Sequence, residues 1–176
     1  SGGTVDVSLI EVDDGVYSVI ATSGNSRLGG KDFDVEIMKY CINQFTCKNG
    51  IMLSKNDTLS TDVINNLRCQ VERAKKQLSD DIIDSVIVNV SNFYNEIDLN
   101  IILTRDIILS VCNNLVQFCM VPLQSIVQEA IENNIVIDSV ICVGGMSRMP
   151  IIRNALKNIT KLEPNVSYNP DEIVAI

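Results

Sequence analysis

Histidine and tryptophan are absent from this 176-residue sequence. Without imidazole the chain lacks the commonest general base and the commonest transition-metal ligand. Aromatic residues make up only 5% against 46% hydrophobic residues in all, so the core must be mostly aliphatic. Six cysteines stand at 41, 47, 69, 112, 119 and 142, and no two have the short gap of a zinc knuckle or a redox motif. Cys41, Cys112 and Cys142 fall within apolar patterns and read as buried free thiols. That suits a reducing compartment and an intracellular protein, the cytoplasm first, with the endoplasmic reticulum or another organelle left open. Basic clusters are missing as well. With 22 acidic and 14 basic residues the net charge is −8, which argues against nucleic acid as a partner. No unbroken apolar run approaches the ~20 residues of a membrane span, and no signal-like N-terminus appears, so no membrane partner is expected. The length suits one domain, or two small subdomains sharing an interface.

What is present is a well-punctuated series of elements. Val5, Val7 and Leu9 alternate with Asp6 and Ser8 in a strand over 4–12, and Asp13-Asp14-Gly15 turns the chain into a strand over 16–22. After Gly29-Gly30, the spacing of Phe33, Ile37, Cys41 and Phe45 predicts a helix. A polar loop over 49–57 leads to a second helix from Ser60 or Thr61 to about Ser79, striped by Ile64, Leu67, Val71, Ala74 and Leu78. Residues 84–90 and 96–104 pair across a connection at 91–95. Thr104 caps a helix to about residue 120, and Pro122 breaks it and starts another segment to about Asn134. The nearly unbroken apolar run 136–143 predicts a strand covered on both faces. It is expected to join the 4–23 hairpin in one sheet. Pro150 opens a further helix, and Val166-Ser167 reads as a short strand. Residues 29–105 carry their own helices and hairpin and read as an inserted subdomain.

Three segments carry candidate chemistry. Gly2-Gly3-Thr4 at a strand edge lets backbone amides and a hydroxyl approach a phosphate, although terminal glycines also read as a vector-derived remnant. Gly144-Gly145-Met146-Ser147-Arg148 follows the 136–143 strand and precedes a helix, an arrangement that lets a flat ligand lie on backbone at the carboxyl end of a sheet. Arg148 there offers a planar guanidinium for stacking on a base, or is simply solvated. On the second helix, Glu72, Lys75, Lys76 and Ser79 share one arc. They could hold the hydroxyls of a ribose, or form an ordinary solvated face with Glu72 and Lys76 paired at i,i+4.

Together these segments resemble the seventy-kilodalton heat-shock chaperones of the DnaK type. Asp6-Val7-Ser8, Asp14-Gly15, Leu28-Gly29-Gly30-Lys31-Asp32-Phe33-Asp34, Thr104-Arg105 and Asn169-Pro170-Asp171-Glu172-Ile173-Val174-Ala175 look like that family too, so the likeness runs from Gly2 to Ile176. The resemblance implies an α/β fold: an actin-like (ribonuclease H-like) ATPase half-domain, the second of two lobes around a cleft. Residues 1–28 and 106–176 would be its inner subdomain, and 29–105 its outer one.

By matching positions, the resemblance gives Gly2, Gly3 and Thr4 to the second phosphate loop, with Gly30 also near the phosphates. Glu72, Lys75 and Ser79 would hold the ribose and part of the base, with Lys76 beside them. Gly144, Gly145, Met146 and Arg148 would form the adenosine loop, and Asp171 would stand behind it. The implied cofactor is ATP or ADP with Mg²⁺ in the intact protein. The implied partners are the first lobe, a nucleotide exchange factor, a J-domain co-chaperone, and client polypeptides bound by an absent peptide-binding domain. Lys31 replaces a usual acid, Lys76 replaces an arginine that stacks on adenine, and Met146 replaces a serine that reads the base. The catalytic lysine, the first phosphate loop and the acids that organise Mg²⁺ are not in this sequence. The expectation is therefore a fragment of an ATP-dependent chaperone without turnover of its own and with no catalytic or metal-ligating residue. The alternative is a co-chaperone of the same family that has lost turnover.

Overall fold

The computed structural model describes residues 4–25, 28–53, 59–80 and 82–166. Gly2, Gly3 and Asp171 lie outside the described residues. The chain divides into two compact units, one made of the described residues of Ser1–Lys31 and Asn114–Ile176, the other Asp32–Asn113.

In the first unit, β1 (Val5–Asp13) and β2 (Val16–Asn25) pair antiparallel across Asp14 and Gly15. Both turn residues have positive φ, 47° and 77°, the backbone that a two-residue hairpin of matching twist demands. Val7, Leu9 and Ala21 turn inward against Ile126 and Ala130, with Ile135 and Ile137 beside them.

The second unit is built on α1 (Gly30–Asn49), α2 (Thr61–Gln77) and the hairpin β3 (Ser85–Tyr94) with β4 (Ile97–Thr104). The predicted stripe of α1 is buried at Phe33, Ile37, Cys41 and Phe45. Ser60 caps α2, its hydroxyl oxygen accepting from the Val63 N–H at 3.3 Å. Leu67, Val71, Ala74 and Leu78 are buried, and α2 packs on β3. β3 runs four residues beyond its expected end, through 91–94, because the turn is the Asn95-Glu96 pair, with φ 47° and 63°. Arg105 ties the α2–β3 connection to the foot of the next helix. Its guanidinium donates to the carbonyls of Asp80 and Ile83 at 2.9 and 2.8 Å and pairs with Asp84 at 3.2 Å.

Two expectations are corrected. The helix expected to end near residue 120 instead continues as α3 (Arg105–Glu132) with Pro122 inside it. Thr104 caps it as expected, accepting from the Ile107 N–H at 3.2 Å. The proline forfeits one helical hydrogen bond, but Val116, Cys119, Met120, Leu123 and Ile126 are buried on both sides of it and hold the helix together. By length and composition α3 is also apolar enough to cross a membrane, although asparagines and glutamines interrupt its apolar run. Its buried stripe and its asparagines and glutamines fit a core helix of a globular fold.

The second correction concerns 136–143. Only β5 (Val140–Cys142) is a strand, and it pairs with β6 (Pro164–Val166) in parallel, not with the β1–β2 hairpin. Val136, Ile141 and Val143 are 80%, 52% and 54% exposed, so this strand is not covered on both faces. Among the described residues it has one neighbour and one packed face, with Cys142 inward and Ile141 outward. The crossover between the two parallel strands is α4 (Pro150–Thr160), which begins with proline at its first position.

None of the six cysteines is joined in a disulfide; Cys47 and Cys69 are exposed and the other four buried. Burial pushes the Cys41 and Cys112 thiols up to about 12, and that of Cys142 upward as well. The folded state thus favours protonated Cys41 and Cys112. That stabilisation is full below the ordinary thiol value of about 8.5 and is lost as pH rises toward 12. Brief alkylation of the native protein at mild alkaline pH should label Cys47 and Cys69 only. Comparable labelling of Cys41 would contradict the packing of α1.

Candidate functional site

The glycine loop is built at the carboxyl end of β5. Gly144 has φ 96° and ψ 167°, a conformation open in practice to glycine alone. Residues Gly145–Arg148 then make one 3-10 turn that leads into α4. Ser147 is buried and locks the turn by donating its hydroxyl to the Gly144 carbonyl at 2.6 Å, while the Met149 N–H donates to Met146 at 3.0 Å. Among the described residues, a Cβ at Gly144 or Gly145 would meet nothing within 4 Å. At Gly145, with no positive φ, the fold itself therefore gives no steric reason for glycine. The backbone there stands open, which is what a ligand lying on it requires. Met146 is half-buried and Arg148 exposed. In the same unit Thr4 is exposed just before β1, and Gly30 is half-buried at the start of α1.

The second group lies at the carboxyl end of α2 in the other unit. Glu72 and Lys76 form the i,i+4 pair at 2.7 Å, with side chains 48% and 70% exposed. The hydrogen bond to Glu72 raises the Lys76 pKa. A pair this exposed contributes little to stability. Ser79 lies in the turn just past the helix and donates its hydroxyl to the Lys75 carbonyl at 3.0 Å, leaving the oxygen able to accept.

Lys75 behaves differently. Its ammonium lies 2.6 Å from Asp34 Oδ1 of α1, and the two side chains are only 12% and 9% exposed. Burial raises the Asp34 pKa, opposed by the neighbouring Lys75 ammonium. Sequence reasoning did not single out Asp34 as a site residue. The available signal was an acid at the fourth position after Gly30, one helical turn into α1, within the Gly-Gly-Lys-Asp-Phe-Asp run. Among the described residues no group of histidine, cysteine and acidic side chains could hold a metal ion.

The residues present thus offer an open glycine backbone with a nearby guanidinium in one unit. In the other they offer a row of one carboxylate, two ammoniums and a hydroxyl. Each unit by itself thus presents groups of the kind that bind part of a nucleoside.

Comparison with known proteins gives a consistent result. The family described as Hsp70 protein matches residues 1–176. The protein named "Chaperone protein dnaK" of Thalassiosira pseudonana is 34% identical over 181 residues, covering 99% of this chain and 29% of that protein. Its namesake in Gracilaria tenuistipitata var. liui is 36% identical over 179 residues, 99% of this chain and 28% of the relative. "Chaperone protein DnaK" of Thermosipho melanesiensis is 37% identical over 177 residues, 99% of this chain and 29% of the relative. The chain spans less than a third of the length of these relatives.

Proposed function

Since this chain belongs to the Hsp70 family, we propose that it is the second lobe of a chaperone's actin-like ATPase domain and supplies the nucleoside side of its ATP/ADP cleft. The observation that carries the reading is the open backbone at Gly144-Gly145, within a chain that matches the family along its whole length. Residues 1–28 and 106–176 form the inner subdomain of the lobe and 29–105 the outer one. Gly144, Gly145 and Arg148 receive the adenosine, with Met146 in the same turn. Glu72, Lys75 and Ser79 hold the ribose and part of the base, with Lys76 beside them. Thr4 and Gly30, with Gly2 and Gly3, approach the phosphates, and Asp171 supports the adenosine loop.

Bound ATP supplies the transferable phosphoryl group, and Mg²⁺ neutralises its charge. This chain's own residues bind and orient the nucleoside. Phosphoryl transfer needs charges and an attacking water positioned from several sides, and we assign the groups that do so to other parts of the parent protein. The lobe is therefore non-catalytic alone, and the parent protein is the ATPase. Its partners are the first lobe, an exchange factor, a J-domain co-chaperone and client polypeptides, and its place is intracellular.

A second reading is favoured by one observation. Lys76 is already paired with Glu72, and it lacks the planar face with which arginine stacks on adenine. In that reading the parent is a co-chaperone that has lost turnover.

The test is to incubate the purified lobe with Mg-ATP. Binding should be weak, with Kd above ~100 μM because half the contacts are missing, and phosphate release should equal that of a no-protein control. Release above that control would contradict the assignment of the catalytic groups to other parts of the protein.

A further inference from the structure

We propose that Asp34 is the positioning residue for Lys75, and that this buried carboxylate, not the helix row alone, sets where the ribose-holding ammonium stands. The inference rests on the nucleotide-site reading above. Two adjacent lysines of one helix have opposite fates. Lys76 follows an exposed neighbour on its own helix, its side chain 70% exposed. Lys75 crosses to another helix, 2.6 Å from Asp34, with 12% of its side chain exposed. A lysine stem is long and flexible, so an unanchored ammonium spreads over many rotamers. A carboxylate buried between α1 and α2 selects one of them.

The anchor is itself fixed. Asp34 lies in α1 between Phe33, wholly buried, and the next buried turn at Ile37 and Met38. Lys75 follows the buried Ala74 in α2, a helix that packs on β3. Both backbones are thus set by core packing. The ammonium's position is a property of the helix pair, and it does not wait for ligand. Holding a donor in place before binding lowers the ordering cost at the moment of binding. The charged groups around the pair are Glu72, Lys76 and Glu36, with the Cys112 thiol behind it. Glu72 and Glu36 already have Lys76 and Lys39 at 2.7 Å. Asp34 is the buried acid at ion-pair distance from Lys75.

The test measures ADP and 2′,3′-dideoxy-ADP affinity for the full-length protein by titration calorimetry. Wild type, Asp34→Asn, Lys75→Met and the double variant are compared, with thermal melting recorded for each. Wild type should prefer ADP by about tenfold, the scale of one charge-assisted hydrogen bond to a ribose hydroxyl. Asp34→Asn should lower that preference toward unity while dideoxy-ADP binds as before. Lys75→Met should do the same, and the double variant should lose nothing more. If Asp34→Asn does not fold, Asp34→Glu should keep the fold and retain an intermediate preference.

An Asp34→Asn protein that weakens both nucleotides equally would show a merely structural role and overturn the inference. Wild-type preference in Asp34→Asn, with loss in Lys75→Met, would overturn the inference and leave the site reading standing. Unchanged preference in Lys75→Met would overturn both.

Discussion

Replacing Phe45 with alanine should cost the Asp32–Asn113 unit about 3–5 kcal/mol, most of what a small unit has to lose. Phe45 is 1% exposed, and its ring meets Phe93 edge-on, with centroids 4.8 Å apart at 71°. That contact joins α1 to β3, and α2 packs on the same strand. A cavity there would separate the helix that carries Asp34 from the hairpin that supports α2. The aromatic pair adds about 0.5–1.5 kcal/mol to plain burial. The check is urea unfolding followed by circular dichroism, comparing midpoints at equal slope. A loss below about 1 kcal/mol would mean that the site can collapse around the deletion, and that the two rings do not carry the packing described.

The second large effect separates fold from ligand at the glycine loop. Gly144→Ala places a side chain at φ 96°, and should destabilise the chain by about 1–3 kcal/mol. Gly145→Ala has open space around its new Cβ and no positive φ. It should leave thermal stability unchanged, yet weaken ADP in the full-length protein about tenfold or more, because on the proposed reading the methyl group would occupy the backbone surface that receives the nucleoside. Wild-type ADP affinity in Gly145→Ala would mean that the open backbone is an ordinary strand-to-helix turn. A large stability loss in the same variant would mean that the loop packs against something other than ligand.

Local signals were legible where one segment decides its own structure. The helical spacing of Phe33, Ile37, Cys41 and Phe45 and the Ser60 cap are read from neighbouring residues, and the structure places them as that spacing requires. Asp14-Gly15 is legible for the same reason, since its turn needs positive φ. Failures came where distant packing decides. Pro122 carries a strong local stop signal, overridden by buried residues on both sides of it. The 136–143 run is apolar enough for a strand covered on both faces, but apolarity alone does not say which elements do the covering.

The candidate site divides in the same way. Gly144, with its obligatory backbone, and the i,i+4 pair of Glu72 and Lys76 follow from short spacings. Lys75 could be placed on its helix face by periodicity alone, but its partner Asp34 is 41 residues away in sequence. Only tertiary packing brings the two together.

The most direct measurement follows the amide and side-chain ammonium NMR signals of the purified lobe during titration with ADP to millimolar concentration. The nucleoside-site account predicts progressive shifts at Gly144–Arg148 and at Glu72, Lys75, Lys76 and Ser79, saturating with Kd above ~100 μM, while signals from the β1–β2 turn at Asp14 and Gly15 stay in place. Shifts that avoid both groups, or no shift at all at millimolar ADP, would contradict it.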